Sequence, residues 1–530
     1  MDFIFADKPP GVLTNAESSA SRIYVDGFAE YLGERLRCAL FAVHRLDRDT
    51  TGALCLAKTQ AAAEVLRQLF ATQAGQLKQD VEKRHLFLTD QKSELSEFVR
   101  ESFIETRKNE TVSLQPHEAA ESAPNSRTLF RLIKEVNGVA LWEAFPETGK
   151  SHQIRLHAQD AGIPILGDNE HGGSKFPTLC LHAEKLSFEF QGQKHVYQSA
   201  APRWFDDLTL TQDPLLCRWL AAIERRERLA RSLQVSTISE TLRWIHSEGD
   251  PLRAEQLGDV VCFSWFDLHP PREAELASIA KLAAIMNWEK WYIQVRENRG
   301  QGQTEEVLHH GPLPVPTPWT AKEDGLRFEF RTDRGLSPGL FLDQRRNRSW
   351  LQKNSDGKTV LNLFSYTGGF SVAAARGGAK KVVSVDLSKP FLEWAKANFA
   401  LNELSVEGHE FRAMDCREYL QWAKKKGLQF DTIICDPPSF SRSKSGVFRI
   451  EQDFSELLQF LVAVTAPKGR ILLSINFEKW TETQFMTETL KALKTIRRPV
   501  KTESTPDPDW DFELPNEAHN MKSLFLAAQV

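Results

Sequence analysis

The segment His44-Arg45-Leu46-Asp47-Arg48-Asp49-Thr50-Thr51-Gly52 sets the Asp47 carboxylate between two guanidinium groups. Such surroundings keep an aspartate ionised. An ionised carboxylate on an RNA-binding surface is equipped to act as nucleophile or base on a nucleotide drawn out of its helix. Taken alone, a run of this kind is more often a surface ion-pair cluster. A second run shifts that balance: Lys150-Ser151-His152-Gln153-Ile154-Arg155-Leu156-His157, followed by Gly162-Ile163-Pro164-Ile165-Leu166-Gly167-Asp168, has the character to bring Arg155 up to the same carboxylate.

A different chemistry is written further on. After the apolar run TVLNLF, which ends in Phe364, comes Ser365-Tyr366-Thr367-Gly368-Gly369. Adjacent glycines let backbone approach a ligand at a strand-to-helix turn. The next apolar run, KVVSVD, ends in Asp386, 17 positions after Gly369. That is close to the ~20 expected for a carboxylate that accepts ribose hydroxyls. The loop is not GxGxxG, which favours a nucleoside without phosphates over a dinucleotide. Asp415, in AMDCREYL, is placed at the end of the third strand, for an adenine. DTIIC then delivers Asp436-Pro437-Pro438-Ser439-Phe440 to the carboxyl edge of the sheet, where open α/β folds bind ligands.

These groups need scaffolds. At 530 residues and ~100 to 200 residues per domain, about three domains are expected. We place them at 1–203, 240–338 and 339–530, with a helical linker at 204–239. The first mixes short strands (FIFADK, ALCLAK, LFRLIK, VALWEAF) into an α+β domain with antiparallel sheet. The polar stretch 105–127 within it reads as a long loop. PLLCRWLAAIERRERLARSL has helical spacing and a basic face that reads as solvated surface. VVCFSWF, ELASIAKLAAIM, WYIQV and LRFEFR make a small central α+β domain, and beyond Phe341 strands alternate with helices as in an open parallel sheet, an α/β Rossmann-like fold. A net charge of −4 gives no global pull towards nucleic acid, so an RNA site must be a local patch. Seven scattered cysteines without CxxC spacing fit a reducing compartment. The N-terminus lacks a charged segment followed by an apolar one, and no window nears the ~18 apolar residues of a membrane span. The expectation is a cytoplasmic protein with no membrane contact.

With Asp7-Lys8-Pro9-Pro10-Gly11 and Leu181-His182-Ala183, the N-terminal segments resemble pseudouridine synthases of the RluA type over about residues 1 to 200. The resemblance implies that Asp47 is catalytic, that Arg45 fills the space left by a flipped uridine, and that Arg155 pairs with Asp47. It implies detachment, rotation and rejoining of uracil, with no cofactor and no metal. At Lys83-Arg84-His85-Leu86 the family has tyrosine in place of His85. An imidazole still packs against uracil and, near neutral pH, exchanges protons, so His85 enters the catalytic set and predicts a rate that follows a histidine titration.

The C-terminal set is similar to class I methyltransferases, more narrowly to 23S rRNA methyltransferases of the RlmI and RlmK type. Phe341-Leu342-Asp343-Gln344-Arg345-Arg346-Asn347-Arg348 and Ile245-His246-Ser247-Glu248-Gly249-Asp250 extend the likeness from about Glu240 to the end. It implies S-adenosylmethionine as cofactor, held by Phe364, Ser365, Tyr366, Thr367, Gly368, Gly369, Asp386, Asp415 and Asp436. Asp436, Pro437, Pro438 and Phe440 are implied at the reacting centre, with ribosomal RNA, 23S or its assembling large subunit, as partner. Methylation at cytosine carbon 5 needs a thiolate. Leu473-Ser474-Ile475-Asn476-Phe477 carries no thiol, and Cys435 reads as a core residue. Guanine nitrogen 7 is therefore the expected acceptor, with Phe440 stacking on the base and Arg442, Lys444 and Arg449 taking phosphates. Two alternatives stay open: a methyltransferase of guanine or cytosine whose N-terminal domain merely docks RNA, and a small-molecule or protein methyltransferase.

Overall fold

Apolar residues in successive positions of Thr359–Leu363, Lys381–Asp386, Phe430–Cys435 and Thr465–Asn476 have two cores to fill. Leu361, Val383, Ile433 and Leu473 enter one; Val360, Val382, Ile434 and Leu472 enter the other, beneath Leu351, Phe370 and Ala374. Burial on both faces is why these strands read as continuous rather than alternating apolar runs. Each fully buried Val, Leu or Ile contributes about 1.5 to 3 kcal/mol.

The structure is a computed structural model that describes residues 2–15, 27–71, 81–107, 110–114, 124–235, 239–267, 269–295, 306–309, 311–333, 337–443, 446–512 and 521–529. The chain divides into two units: 1–238 with 244–252 and 271–287, and 239–243 with 253–270 and 288–530.

In the second unit a seven-stranded sheet runs in the order Glu410–Ala413, Lys381–Asp386, Thr359–Leu363, Phe430–Cys435, Thr465–Asn476, Met521–Ala528, Val500–Ser504. The first five strands pair in parallel. Met521–Ala528 inserts antiparallel beside Thr465–Asn476, and Val500–Ser504 pairs antiparallel on it, so the expected parallel sheet is mixed at one edge. The carboxyl ends of Thr359–Leu363, Lys381–Asp386 and Phe430–Cys435 lead directly into Phe364, Leu387 and Asp436, which puts the predicted ligand residues Phe364, Asp386 and Asp436 on one edge.

The first unit holds a ten-stranded sheet whose main path is Phe3–Lys8, Thr51–Ala57, Leu181–Phe190, Val81–Thr89, Val139–Pro146, Ser126–Val136, Glu97–Arg107, Glu110–Leu114. Antiparallel pairing dominates, as expected, except where Thr51–Ala57 runs parallel to Leu181–Phe190 through Thr51↔His182 and Gly52↔Ala183. At Gly52, φ is +115° and an added Cβ would stand 2.2 Å from the Ala183 carbonyl oxygen, so this junction requires glycine.

Two expectations are corrected. The stretch 105–127 is not one loop: Glu110–Leu114 pairs antiparallel with Glu97–Arg107, and Ser113 Oγ donates to Asp160 at 2.7 Å. Pairing with a neighbouring strand edge overrides the polar composition; residues 108–109 and 115–123 lie outside the described residues. The basic face of helix Pro214–Ser232 is not simply solvated surface, because Arg226 and Arg228 are fully buried. Arg228 donates to Asp7, Ser199 and the Ala200 carbonyl, while Arg226 pairs with Glu248. Buried carboxylates of the same unit convert what looked like a solvated stripe into internal ion pairs. None of the seven cysteines forms a disulfide, and among the described residues no helix is long and apolar enough to cross a membrane.

Candidate active sites

In the first unit, Arg45, Leu46, Asp47 and Thr50 line a cavity of about 270 Å³ together with Lys83, His85, His152 and Arg155. Two buried polar side chains hold the loop that carries Asp47. Thr14 Oγ1 donates to the Leu46 carbonyl and accepts from its amide, at 3.0 and 3.1 Å. Lys8, wholly buried, donates from Nζ to the carbonyls of Arg48 and Thr50 at 2.7 and 3.0 Å. Burial pulls the Lys8 pKa down to about 7, against the raising influence of Asp49 and Asp47.

Arg155 comes from helix Gln153–Asp160 and is held in plane by Asp168, with Nε to Oδ2 at 2.7 Å and Nη2 to Oδ1 at 2.6 Å. Its third edge faces the loop: Nη1 stands 3.9 Å from Asp47 Oδ2. Burial opposes its charge, but Asp168 and Glu170 outweigh that and hold its pKa above the usual range. Arg45 is exposed at the cavity wall. In the sequence Asp168 and Lys8 stand only as members of motifs, with no role of their own. Their work as a clamp and a staple becomes visible when partners distant in sequence meet.

His85 overturns the titration expected of it. The side chain is 8% exposed, and burial, with the Lys83 ammonium second, pushes its pKa down to about 3. Its strand presents it to the cavity as a neutral ring whose Nδ1 has no hydrogen-bond partner among the described residues. Uridine isomerisation, measured as tritium release from carbon 5, is therefore expected to show no His85-linked step between about pH 5 and 8. A step in that interval in wild type that His85→Tyr removes would contradict the neutral imidazole.

In the second unit, Phe364 and Tyr366 hold left-handed backbone at φ +55° and +48°, a conformation that costs a non-glycine residue about 1 to 2 kcal/mol and clusters at ligand sites. They wrap Ser365, whose amide donates to the Val385 carbonyl at 3.0 Å and whose buried Oγ has no partner among the described residues. Gly368 and Gly369 follow; the first, at φ +76°, is required by its neighbours, while the second faces the movable end of a leucine. A Cβ would stand 2.7 Å from Ala395 Cβ at the first and 2.8 Å from Leu340 Cδ1 at the second. Thr367 Oγ1 donates to the Gly339 carbonyl. Asp386 accepts from the amides of Tyr366 at 2.9 Å and Ser388 at 2.8 Å, and burial raises its pKa. Asp415 caps helix Cys416–Lys425 through the amides of Arg417 and Glu418. An orphaned hydroxyl, a strained turn and a carboxylate at adjoining strand ends fit the polar face of a nucleoside.

Asp436 is reached by a relay that the sequence did not disclose. Asn347 Nδ2 donates to Gln344 Oε1 at 2.7 Å, and Gln344 Nε2 donates to Asp436 Oδ2 at 3.0 Å. Burial and then the Asp343 carboxylate push the Asp436 pKa up to about 7, opposed by Gln344 and Arg348. Pro437 and Pro438 lead into a hairpin of Phe440–Ser443 with Gly446–Arg449 in which Phe440 opposes Arg449 and Arg442 opposes Val447. Side chains two apart or directly opposite share a face, so Phe440, Arg442 and Arg449 stand together. Phe440 is 46% exposed while Phe448, of the other face, is 2%, and the Arg442 guanidinium lies 5.5 Å from the Phe440 ring centre. Lys444 lies outside the described residues. Cys435, fully buried among apolar residues, has its thiol pKa pushed up by burial.

Comparison with known proteins agrees with two halves of different kinds. Residues 280–522 match the family described as S-adenosylmethionine-dependent methyltransferase, and residues 2–160 match the RNA pseudouridylate synthase family. Ribosomal RNA large subunit methyltransferase K of Neisseria meningitidis serogroup B is 36% identical over 249 residues, 45% of this chain and 69% of that protein. The K/L enzyme of Shewanella sp. strain MR-4 is 44% identical over 191 residues, 35% of this chain and 25% of that protein. The chain spans between a quarter and two fifths of the length of several curated relatives that it matches. Among solved structures, SMU.776 complexed with SAH aligns over 59% of this chain and 81% of its own, at 27% identity and a TM-score of 0.52.

Proposed function

The chain belongs to the S-adenosylmethionine-dependent methyltransferase family, and from that premise we propose that it modifies large-subunit ribosomal RNA twice, methylating a guanine at nitrogen 7 and isomerising a uridine to pseudouridine. The observation that carries the first activity is the convergence on one sheet edge of the Phe364–Gly369 turn, Asp386 and Asp436, next to the exposed Phe440. S-adenosylmethionine supplies the methyl group when bound. Asp386 accepts its ribose hydroxyls, the Ser365 hydroxyl gains the partner it lacks, and Asp415 approaches the adenine. The names of the K and K/L relatives support ribosomal RNA as substrate, and such a substrate supports a cytoplasmic enzyme.

An ionised Asp436 supports guanine as the acceptor. An ionised carboxylate offers two acceptors, which match the adjacent N1–H and N2–H donors of guanine and oppose the N3 lone pair of cytosine. With the base so held and Phe440 stacked on it, nitrogen 7 needs no deprotonation, and rate comes from alignment. Asp436 must be ionised for this, so methyl transfer is expected to rise with pH through about 7, the pKa to which burial pushes that group. Gln344→Leu removes a hydrogen bond that favours the ionised form, so the midpoint should move to higher pH. A profile that stays in place in that variant detaches Asp436 from the step.

For the second activity, the Arg155 guanidinium stands 3.9 Å from the Asp47 carboxylate and Arg45 enters the duplex in place of the flipped uridine. His85 in place of tyrosine favours one competing reading, in which the N-terminal unit only docks RNA. Mass-spectrometric nucleoside mapping of ribosomal RNA from cells with and without the protein decides: loss of one 7-methylguanosine and one pseudouridine is expected. Loss of the methylated base alone would select the docking reading.

A further inference from the structure

His152, Glu170 and His171 bring two imidazole nitrogens and a carboxylate oxygen within 4.8 Å of one another, at the rim of the cavity that His152 lines. His152 Nδ1 lies 2.9 Å from His171 Nε2 and 3.9 Å from Glu170 Oε2. Donors bound at ~2.05 Å around a tetrahedral ion stand about 3.3 Å apart. Both separations reach that value by movements well below ~1 Å. The backbone aims these groups: His152 holds a left-handed φ of +53° before helix Gln153–Asp160, and the His171 amide donates to Asp168 Oδ1 at 3.2 Å. His171 is 9% exposed, whereas Glu170 stands open to solvent.

We propose that these three side chains form a binding site for a zinc-class divalent cation. Two imidazoles and one carboxylate with an open side are the donor set such ions take. The carboxylates of Asp47, Asp168 and Glu170 around the Arg155 guanidinium favour added positive charge. Without an ion the imidazoles share a hydrogen bond and Arg155 Nη2 holds Glu170 at 2.7 Å. Binding shifts the hydrogen-bonding proton through solvent to the far nitrogen of the same imidazole, so both rings stay neutral and offer lone pairs to the metal, and turns Glu170 from Arg155 to the metal. The guanidinium then keeps Asp168 and Asp47 as its partners.

The test reads metal binding itself, so it is independent of whether uridine is isomerised. Full-length protein freed of metal by chelation is titrated with Co²⁺, followed by its visible absorption, and then with Zn²⁺ in competition. One equivalent should bind and be displaced by Zn²⁺, and His152→Ala, His171→Ala and Glu170→Ala should each weaken binding at least tenfold. Because His171→Ala removes a buried ring, its thermal unfolding is measured alongside; Glu170→Ala, at an exposed position, keeps the test decisive if that variant fails to fold. Absence of a cobalt spectrum in wild type, or unchanged affinity in Glu170→Ala or His152→Ala, overturns the site.

Discussion

Asp47→Asn is expected to reduce uridine isomerisation by at least ~10³-fold while methyl transfer by the same molecule is unchanged. The first part follows from the chemistry proposed for the carboxylate. Asparagine keeps the size and the hydrogen-bonding reach of aspartate but neither its negative charge nor its basicity, and loss of such a group removes most of the catalysis it supplies. Fold damage should be small, because the loop is held by Thr14 and Lys8 through backbone groups of residues 46, 48 and 50, not through the Asp47 side chain. Arg155 retains Asp168 and Glu170, so no buried guanidinium is stranded. The second part follows because Asp386 and Asp436 belong to the other unit. Tritium release and methyl incorporation, measured on the same preparation with ribosomal RNA, give both numbers. Isomerisation that survives in Asp47→Asn removes that residue from the chemistry.

Asp386→Ala should abolish detectable methyl transfer by loss of cofactor affinity, with isomerisation intact. A hydrogen bond to a charged group contributes about 1.5 to 3 kcal/mol, so the two ribose contacts are worth at least a hundredfold in Kd. The structure makes the expected loss larger than ribose contacts alone imply. Asp386 also accepts the amides of Tyr366 and Ser388, and truncation leaves both donors unmet where the backbone at Phe364 and Tyr366 already carries strain. Asp386→Asn, which keeps one acceptor oxygen, should fall between wild type and alanine. Calorimetric titration with S-adenosylmethionine measures the affinities, and thermal unfolding separates a damaged turn from a lost contact. Wild-type affinity in the alanine variant would remove Asp386 from the cofactor site.

Residue order alone determined the four central strands of the C-terminal sheet. Runs such as TVLNLF and DTIICD are apolar at successive positions, and two-sided burial is the arrangement that satisfies them. It also placed Asp386 and Asp436 at strand ends, since each follows its apolar run directly. Other features were decided by tertiary structure, and they share a cause: each depends on partners far apart in sequence. The charge on Arg226 and Arg228 suggested solvent until Glu248 and Asp7 met them inside. Composition marked 105–127 as loop, but part of it pairs as a strand because a neighbouring edge offers hydrogen bonds. His85 carries an intrinsic pKa near neutrality in any list of side chains, and burial beside Lys83 takes it to about 3. The relay from Asn347 through Gln344 to Asp436 spans 92 positions in its second step, and the meeting of His152 with His171 requires the turn at Asp168. Local sequence encodes which backbone conformation and which face a residue prefers. The free energy of a charge or a titrating ring is set by desolvation and by the groups within a few ångströms, and the folded chain alone assembles those.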